Sequence, residues 1–136
     1  MIYQFIVDGE DFLRAGEAST AVKRTLKQLG LESSLVRRVA IAMYEAEMNM
    51  VLHANGGKIK VELTDTTLTI ILKDCGPGIA NIDLAMQEGY STASQEIREL
   101  GFGAGMGLPN MKRYSDLLEV TSEVGIGTQI VLGFNI

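Results

Sequence analysis

Residues 68–78 read LTIILKDCGPG, an apolar run that ends in a carboxylate followed by two glycines. The first five residues have the β-branched and apolar content of a buried strand. Asp74 would then lie at the end of the strand and at the back of a pocket, because Gly76 and Gly78 leave room for a flat ligand. A motif of this kind on its own is most often only a turn, so its meaning depends on what accompanies it.

A second glycine cluster lies downstream, where residues 101–108 read GFGAGMGL and glycine occupies every other position. A helix-like stretch follows, and bare backbone N–H groups at a helix start form an anion site. Such a run on its own is as often a flexible loop as a phosphate site. Taken together, the two clusters suggest a nucleotide, with its base held by Asp74 and its phosphates held by the glycine run.

The third element is the segment 34–54, which contains neither glycine nor proline. Its apolar residues recur at helical spacing and define one buried arc: Val36, Val39, Met43, Ala46 and Met50. The sequence therefore predicts an amphipathic helix.

Glu45, Asn49 and His53 are each four residues apart, so they form a row on one flank of this arc. Asn49 can offer a neutral oxygen to Mg²⁺, which prefers hard oxygen ligands. Glu45 can accept a proton from an attacking hydroxyl or water. An ordinary solvated helix face would show the same row. For His53, contact with a phosphate and a hydrogen bond to the backbone at the helix end are both open.

With these three elements in this order, the chain resembles the GHKL ATPase superfamily, which includes gyrase B, MutL and the sensor histidine kinases. The small anti-sigma factor and switch protein kinases are the most similar members. Their boxes match EAEMNMVLHA at 45–54 (N-box), DCGPGI at 74–79 (G1 box) and GAGMGL at 103–108 (G2 box). Residues 89–92 and 127–130 look like the lid and final-strand patterns of the family, whereas the insert 93–100 looks somewhat long for a switch kinase.

The resemblance implies a protein serine/threonine kinase that uses ATP and Mg²⁺. Asp74 would accept the adenine amino group with help from Thr128, Asn49 would ligate Mg²⁺, and Glu45 would be the catalytic base. The implied nucleotide-binding residues are Asn49, His53, Asp74, Gly76, Gly78, Ile79, Gly103, Ala104, Gly105, Met106, Gly107, Leu108 and Thr128.

The implied substrate is a serine of a STAS-domain antagonist protein in a partner-switching pathway, and phosphorylation would free the kinase for a sigma factor or a downstream phosphatase. The alternative is a non-catalytic ATP-binding switch that sequesters a sigma factor or another partner. A third reading, an ATPase whose lid closure drives assembly, is less well matched, because 136 residues leave no room for the transducer domain of gyrase B or MutL.

Composition indicates one domain over residues 1–136, with 46% hydrophobic and 21% charged residues. Because the net charge is −5, nonspecific binding to nucleic acid or to an anionic membrane is not expected. No apolar stretch has membrane-spanning length and no signal segment is evident, so a cytoplasmic location is expected. The single cysteine, Cys75, is interpreted as a small buried residue rather than a redox sensor. A homodimer is an arrangement that the sequence leaves open.

The element order β-α-α-β-β-lid-α-β-β predicts an α+β, two-layer α/β sandwich, a mostly antiparallel sheet with helices on one face. The resemblance names this the Bergerat fold. The predicted helices are 11–29, with Asp11 as N-cap and Gly30 as the stop, 34–53 and 106–115. The predicted strands are 3–7, 58–63, 67–73, 118–123 and 128–134, and a lid fills much of 76–105.

One residue does not suit this scheme. Glu47 projects into the apolar arc of its helix, where an unpaired carboxylate would be costly. Either it reaches the surface at a subunit contact, or it pairs with a residue that the sequence does not identify.

Overall fold

The computed structural model describes residues 1–8, 15–54, 56–79, 82, 86 and 107–136. Its elements follow the chain in this order: β1 Ile2–Asp8, α1 Glu17–Gln28, α2 Ser33–His53, β2 Gly56–Leu63, β3 Thr67–Asp74, α3 Gly107–Tyr114, β4 Leu117–Glu123 and β5 Gly127–Asn135. Each predicted helix and strand is therefore present, although the first helix is shorter than predicted.

The strands form one five-stranded sheet in the order β1-β2-β3-β5-β4, and every neighbouring pair is antiparallel. β3 lies at its centre, where the apolar run of residues 68–72 alternates between the two faces of the sheet. The side chains that point to the helices are buried, namely Leu68, Ile70 and Leu72 on β3 and Ile130, Leu132 and Phe134 on β5. The α+β sandwich predicted from the element order is confirmed.

α2 is the helix through which the sheet and the other helices meet. Its predicted apolar arc is correct, because the five arc residues are at most 2% exposed: Val36, Val39, Met43, Ala46 and Met50. α1 contributes Val22 and Leu26 to the same core, and α3 contributes Leu108 and Met111. Within the described part of the chain, no helix combines the length and the apolar character needed to span a membrane.

The predicted start of the first helix is wrong. α1 begins at Glu17 rather than near Asp11, which lies outside the described residues. Gly16 precedes the helix with a φ of 94°, a left-handed conformation that glycine adopts without strain. The other end is as predicted, since Gly30 has a φ of 80° directly after the C-cap residue Leu29.

The predicted burial of Cys75 is also wrong, because the residue is exposed. Residues in an extended chain alternate between the two faces, and Asp74 takes the inward position at the end of β3. Cys75 follows it in the loop and turns outward.

An ion pair joins α2 to the turn between α3 and β4. Nη1 of Arg38 lies 3.3 Å from Oδ1 of Asp116 and donates to the carbonyl of Tyr114 at 3.4 Å. The other carboxylate oxygen of Asp116 accepts the backbone N–H of Asn135 at 2.8 Å. These contacts hold the end of α3 between α2 and the sheet.

Candidate active site at the ends of β3, β5 and β4

Three polar side chains lie in a row across one end of the sheet. Register pairs Ser122 of β4 with Thr128 of β5, and Lys73 of β3 with Gln129, so Asp74 comes next to Thr128. Side chains along a strand alternate between the two faces of the sheet, and all three residues fall on the same face as the buried core side chains. They therefore face the helix layer. The apolar core thus ends in a polar row below the last turns of α2.

Asp74 is half-buried at the end of β3, and its Oδ1 atom holds two segments of backbone. It accepts the N–H of Gly76 at 2.9 Å and the N–H of Thr128 at 3.1 Å. The first bond is the local contact of an aspartate side chain with the backbone N–H two residues later, which stabilises a turn. The second bond fixes β5 to the loop. The described part of the chain uses only this one oxygen, so Oδ2 of Asp74 can accept a donor from a ligand.

Glycine is required where this loop meets its neighbours. A Cβ atom on Gly76 would lie 2.6 Å from Cα of Ala54, the residue that follows α2. A Cβ atom on Gly127 would overlap the carbonyl oxygen of Asp74. Both glycines therefore allow backbone to approach backbone: Gly76 brings the loop after Asp74 against the end of α2, and Gly127 brings the start of β5 against Asp74.

Glu45 and Asn49 are half-buried on α2, where they face the start of α3. Nδ2 of Asn110 donates to Oε1 of Glu45 at 3.2 Å. A Cβ atom on Gly107 would lie 3.2 Å from Oδ1 of Asn49. The structure therefore places the predicted general base and the predicted metal ligand one helical turn apart, beside the end of the second glycine cluster.

The residues at this site have donor and acceptor chemistry that fits ATP and Mg²⁺. A carboxamide oxygen and a carboxylate are the hard ligands that Mg²⁺ accepts. Because Gly107 has no side chain, a space remains beside Asn49 that any Cβ atom would fill. The free acceptor of Asp74 suits an exocyclic amino group. The two halves of the site are joined by α2, which carries Glu45 and Asn49 and ends against Gly76.

Several predicted site residues are either outside the described residues or have a buried side chain. Gly103, Ala104, Gly105 and Met106 lie outside the described residues, as do the lid pattern at 89–92 and the insert at 93–100, and the side chain of His53 is not described either. Leu108 is buried in the core, so only its backbone is available to a ligand.

Gly78 has a φ of 79°, and a Cβ there would lie 2.6 Å from the carbonyl oxygen of Glu123, so it allows the loop to pass close to β4. The next residue, Ile79, donates its backbone N–H to Oγ of Ser122 at 2.6 Å. The predicted loop residues at these two positions therefore attach the loop to the sheet.

Two residues of the site were missed by reasoning from the sequence. Asn110, which holds Glu45, lies three residues after Gly107, a spacing that brings both to one side of α3. Ser122 breaks the apolar alternation of β4, in which Leu118 and Val120 precede it on the inward face. That interruption was the available signal, because a polar residue in an inward position needs a partner.

Glu47 pairs with the start of α1, which resolves the question raised by its place in the apolar arc. It is 2% exposed, and its carboxylate accepts the N–H groups of Gly16 and Ser19, each at 2.9 Å. Oγ of Ser19 donates to the same carboxylate at 2.7 Å, and the N–H of Ala18 lies 3.3 Å from it. Glu47 therefore caps another helix, whose own N-cap is a glycine with no side chain.

Comparison with known proteins places these features in one family. Residues 12–134 match the model of the family described as histidine kinase-like ATPase domain. The serine/threonine-protein kinase RsbT of Bacillus subtilis is 34% identical over 112 residues, which cover 79% of this chain and 78% of that protein. The anti-sigma F factor of Clostridium beijerinckii is 32% identical over 121 residues, which cover 85% of this chain and 81% of the relative.

Solved structures share the fold at low sequence identity. The RsbU and RsbW domains of a Mycobacterium tuberculosis protein match with a TM-score of 0.66 and 14% identity, over 98% of this chain and 32% of that one. The SiaB–SiaC complex of Pseudomonas aeruginosa contains a chain that matches with a TM-score of 0.59 and 15% identity, over 98% of this chain and 89% of that one.

Proposed function

Because the chain belongs to the histidine kinase-like ATPase domain family, we propose that it is an ATP-dependent protein serine/threonine kinase of the anti-sigma or switch type. Its substrate in this proposal is a serine of a STAS-domain antagonist protein in a partner-switching pathway. The observation that carries the proposal is the position of Glu45 beside Asn49 and the start of α3, with its carboxylate held by Asn110.

The nucleotide base is bound at the end of β3 in this proposal. Oδ1 of Asp74 is occupied by the N–H groups of Gly76 and Thr128, so Oδ2 accepts the exocyclic amino group of adenine. Guanine has a carbonyl at that position and would face a carboxylate. The site therefore selects ATP over GTP.

The phosphates lie toward the glycine cluster and the start of α3, where backbone N–H groups are available to anions. Asn49 supplies the protein ligand for Mg²⁺, and the metal, when bound, neutralises charge on the phosphates. Gly107 keeps the space next to the Asn49 carboxamide open.

Glu45 acts as the general base. It accepts the proton of the substrate serine hydroxyl as the serine oxygen bonds to the γ-phosphorus and the bond from phosphorus to the departing ADP oxygen breaks. The hydrogen bond from Asn110 limits the rotamers of Glu45 and leaves its second oxygen for the hydroxyl. Phosphoryl transfer depends mainly on positioning and charge neutralisation; in this proposal α2 and α3 provide the positioning, and the metal, when bound, neutralises the charge.

The partner is proposed from the relatives. One of them is named a serine/threonine-protein kinase and another an anti-sigma factor, and a chain of a two-protein complex shares the fold. On the basis of that similarity, we propose a STAS-domain protein as substrate, a sigma factor or a phosphatase as the alternate partner, and a cytoplasmic location. A homodimer is compatible with the same scheme. The net charge of −5 gives no reason to expect direct binding of nucleic acid or of an anionic membrane.

A non-catalytic ATP-binding switch is the second candidate, since several observations would be the same for it. Asp74, Thr128 and Asn49 would bind the nucleotide in either case. A pure binding module, however, has no use for a half-buried carboxylate that is fixed by Asn110 beside the metal ligand. Glu45 therefore favours the kinase.

The test is transfer of label from γ-labelled ATP to a purified STAS-domain protein offered as substrate. The proposal predicts a phosphoserine on that protein with the native chain and Mg²⁺, and none when Mg²⁺ is chelated. Tight, ATP-dependent complex formation without any phosphoserine would instead establish the sequestering switch.

A further inference from the structure

Ser122 is hydrogen-bonded to both sides of the base-binding end of the site. Its Oγ atom accepts the N–H of Ile79 at 2.6 Å, donates to the carbonyl of Gly127 at 3.2 Å and lies 2.8 Å from Oγ1 of Thr128. Ser122 thus connects β4 with the loop after Asp74 and with the start of β5.

Hydrogen counting fixes the direction of the bond between the two hydroxyls. A serine or threonine hydroxyl has one hydrogen to donate. The carbonyl of Gly127 can only accept, so the Ser122 hydrogen belongs to that bond. The contact between Ser122 and Thr128 then needs the hydrogen of Thr128. All three contacts are made at once only when Thr128 donates to Ser122.

This arrangement determines what Thr128 can offer to a ligand. Its hydroxyl hydrogen is used within the protein, so Oγ1 has only lone pairs left. Its backbone N–H is also used, because it donates to Oδ1 of Asp74. Thr128 and Asp74 are neighbours in the row across the sheet, and both are therefore acceptors.

We infer that Ser122 is a positioning residue for nucleotide specificity: it holds the Thr128 hydroxyl as an acceptor, so that the described residues of the base site present acceptors only. An exocyclic amino group that contacts such a site directly is satisfied, whereas a carbonyl at the same ring position meets, among the described residues, acceptors and no donor. The inference rests on the proposed function, because it assigns the base to Asp74 and Thr128.

The probe is inosine triphosphate (ITP), which has a carbonyl at the ring position where ATP has its amino group. In Ser122→Ala, the Thr128 hydroxyl loses its acceptor and can rotate to donate to that carbonyl. We expect calorimetric titrations to show the ratio of ATP to ITP affinity falling by about tenfold, the equivalent of one hydrogen bond. Ser122→Thr keeps the hydroxyl and should restore the native ratio, and Thr121→Ala, an exposed neighbour on β4, should not change it.

A double-mutant comparison separates this role from a structural one. In a Thr128→Val background, Ser122→Ala should leave the ATP to ITP ratio unchanged, because there is no hydroxyl left to reorient. If Ser122→Ala lowers the ratio equally in both backgrounds, the effect runs through the N–H of Ile79 and the inference is wrong. An unchanged ratio in the single variant would overturn it as well.

Two further results keep the test decisive. Should Ser122→Ala fail to fold, Ser122→Cys makes the same comparison, because the thiol has a similar shape but is a weak acceptor. A native chain that binds ATP and ITP equally would contradict the proposed base site itself. A native preference for ATP that Ser122→Ala or Ser122→Cys retains would contradict only the inference about Ser122.

Discussion

Asp74 separates two tasks between its two carboxylate oxygens. Oδ1 holds the backbone of Gly76 and of Thr128, and in the described structure Oδ2 is left for the nucleotide. The same side chain therefore holds the loop and β5 together and, in the proposed function, also binds the base. A substitution that changes only the second oxygen distinguishes these tasks.

Asp74→Asn is that substitution. The amide oxygen of asparagine can keep both backbone bonds, while its NH₂ group replaces Oδ2 and opposes the amino group of adenine. We expect ATP binding to weaken by roughly 1–3 kcal/mol, with thermal unfolding little changed. Calorimetry measures the affinity, and Asp65→Asn in the exposed β2–β3 turn is the control. Native ATP affinity in Asp74→Asn would remove Asp74 from base recognition.

Glu47 contributes to the stability of the fold rather than to the proposed chemistry. Among the described residues, its carboxylate faces only N–H and O–H donors, so the NH₂ group of Glu47→Gln would oppose a donor in a buried position. We expect a loss of roughly 1–3 kcal/mol in the free energy of unfolding, measured by denaturant titration. Glu119→Gln on the exposed face of β4 should change it by no more than about 0.5 kcal/mol. Equal midpoints for the two variants would contradict the capping role.

At the scale of elements, α2 determines the geometry of the site. Its apolar arc packs in the core, one flank carries Glu45 and Asn49 toward α3, and its end meets Gly76. Because the arc is buried along its length, the flank cannot rotate without exposing apolar side chains. Asn49 and Glu45, the proposed metal ligand and the proposed base, are therefore held at a fixed distance along the helix.

Asn49→Ala tests the contribution of this flank. The side chain that approaches Gly107 would be lost, and with it the protein ligand proposed for Mg²⁺. We expect the Mg²⁺-dependent part of ATP affinity to disappear while unfolding stays close to native. Titrations with and without Mg²⁺ measure this, and Asn135→Ala, exposed at the end of β5, serves as the control. Full Mg²⁺ dependence in Asn49→Ala would place the ligand elsewhere.

Helices and strands were predictable from the sequence where they are determined by hydrophobic periodicity or by a glycine at the end of a helix. The alternation in β3, the arc of α2 and the stop at Gly30 all depend on residues close in the chain, and the structure confirms them. The start of α1 was not predictable in this way, because its cap is Glu47, which lies 31 positions beyond Gly16. A sequence pattern identifies a helix-capping residue only when that residue is close in the chain to the end of the helix.

In the site, too, contacts between residues close in the chain were predictable and contacts between distant residues were not. Glu45 and Asn49 could be placed together because one helical turn separates them. The contacts of Glu45 with Asn110 and of Ile79 with Ser122 join positions 65 and 43 residues apart, so they depend on how α3 and β4 pack. Exposure of Cys75 likewise follows from the turn that Asp74 closes, and composition alone favoured burial.

At the scale of the whole molecule, the helices cover one face of the sheet, and the site opens where α2, α3 and the ends of the strands meet. The family is that of histidine kinase-like ATPase domains. The antiparallel order β1-β2-β3-β5-β4 brings Asp74 and Thr128 onto neighbouring strands although 54 positions separate them. The fold thus brings together the polar row that is proposed to bind the base and the flank of α2 that is proposed to carry out phosphoryl transfer.

Phosphoryl transfer by this chain is tested by single-turnover transfer from saturating ATP and Mg²⁺ to a STAS-domain protein, with the native chain and with Glu45→Gln. A general base contributes roughly 10²–10⁴-fold to such a step. We expect Glu45→Gln to lose activity of that order in the rate of phosphoserine formation, with ATP affinity nearly unchanged, and Glu119→Gln to react at the native rate. Transfer by Glu45→Gln at the native rate would contradict the assignment of Glu45 as the base, and no transfer by the native chain would contradict the kinase itself.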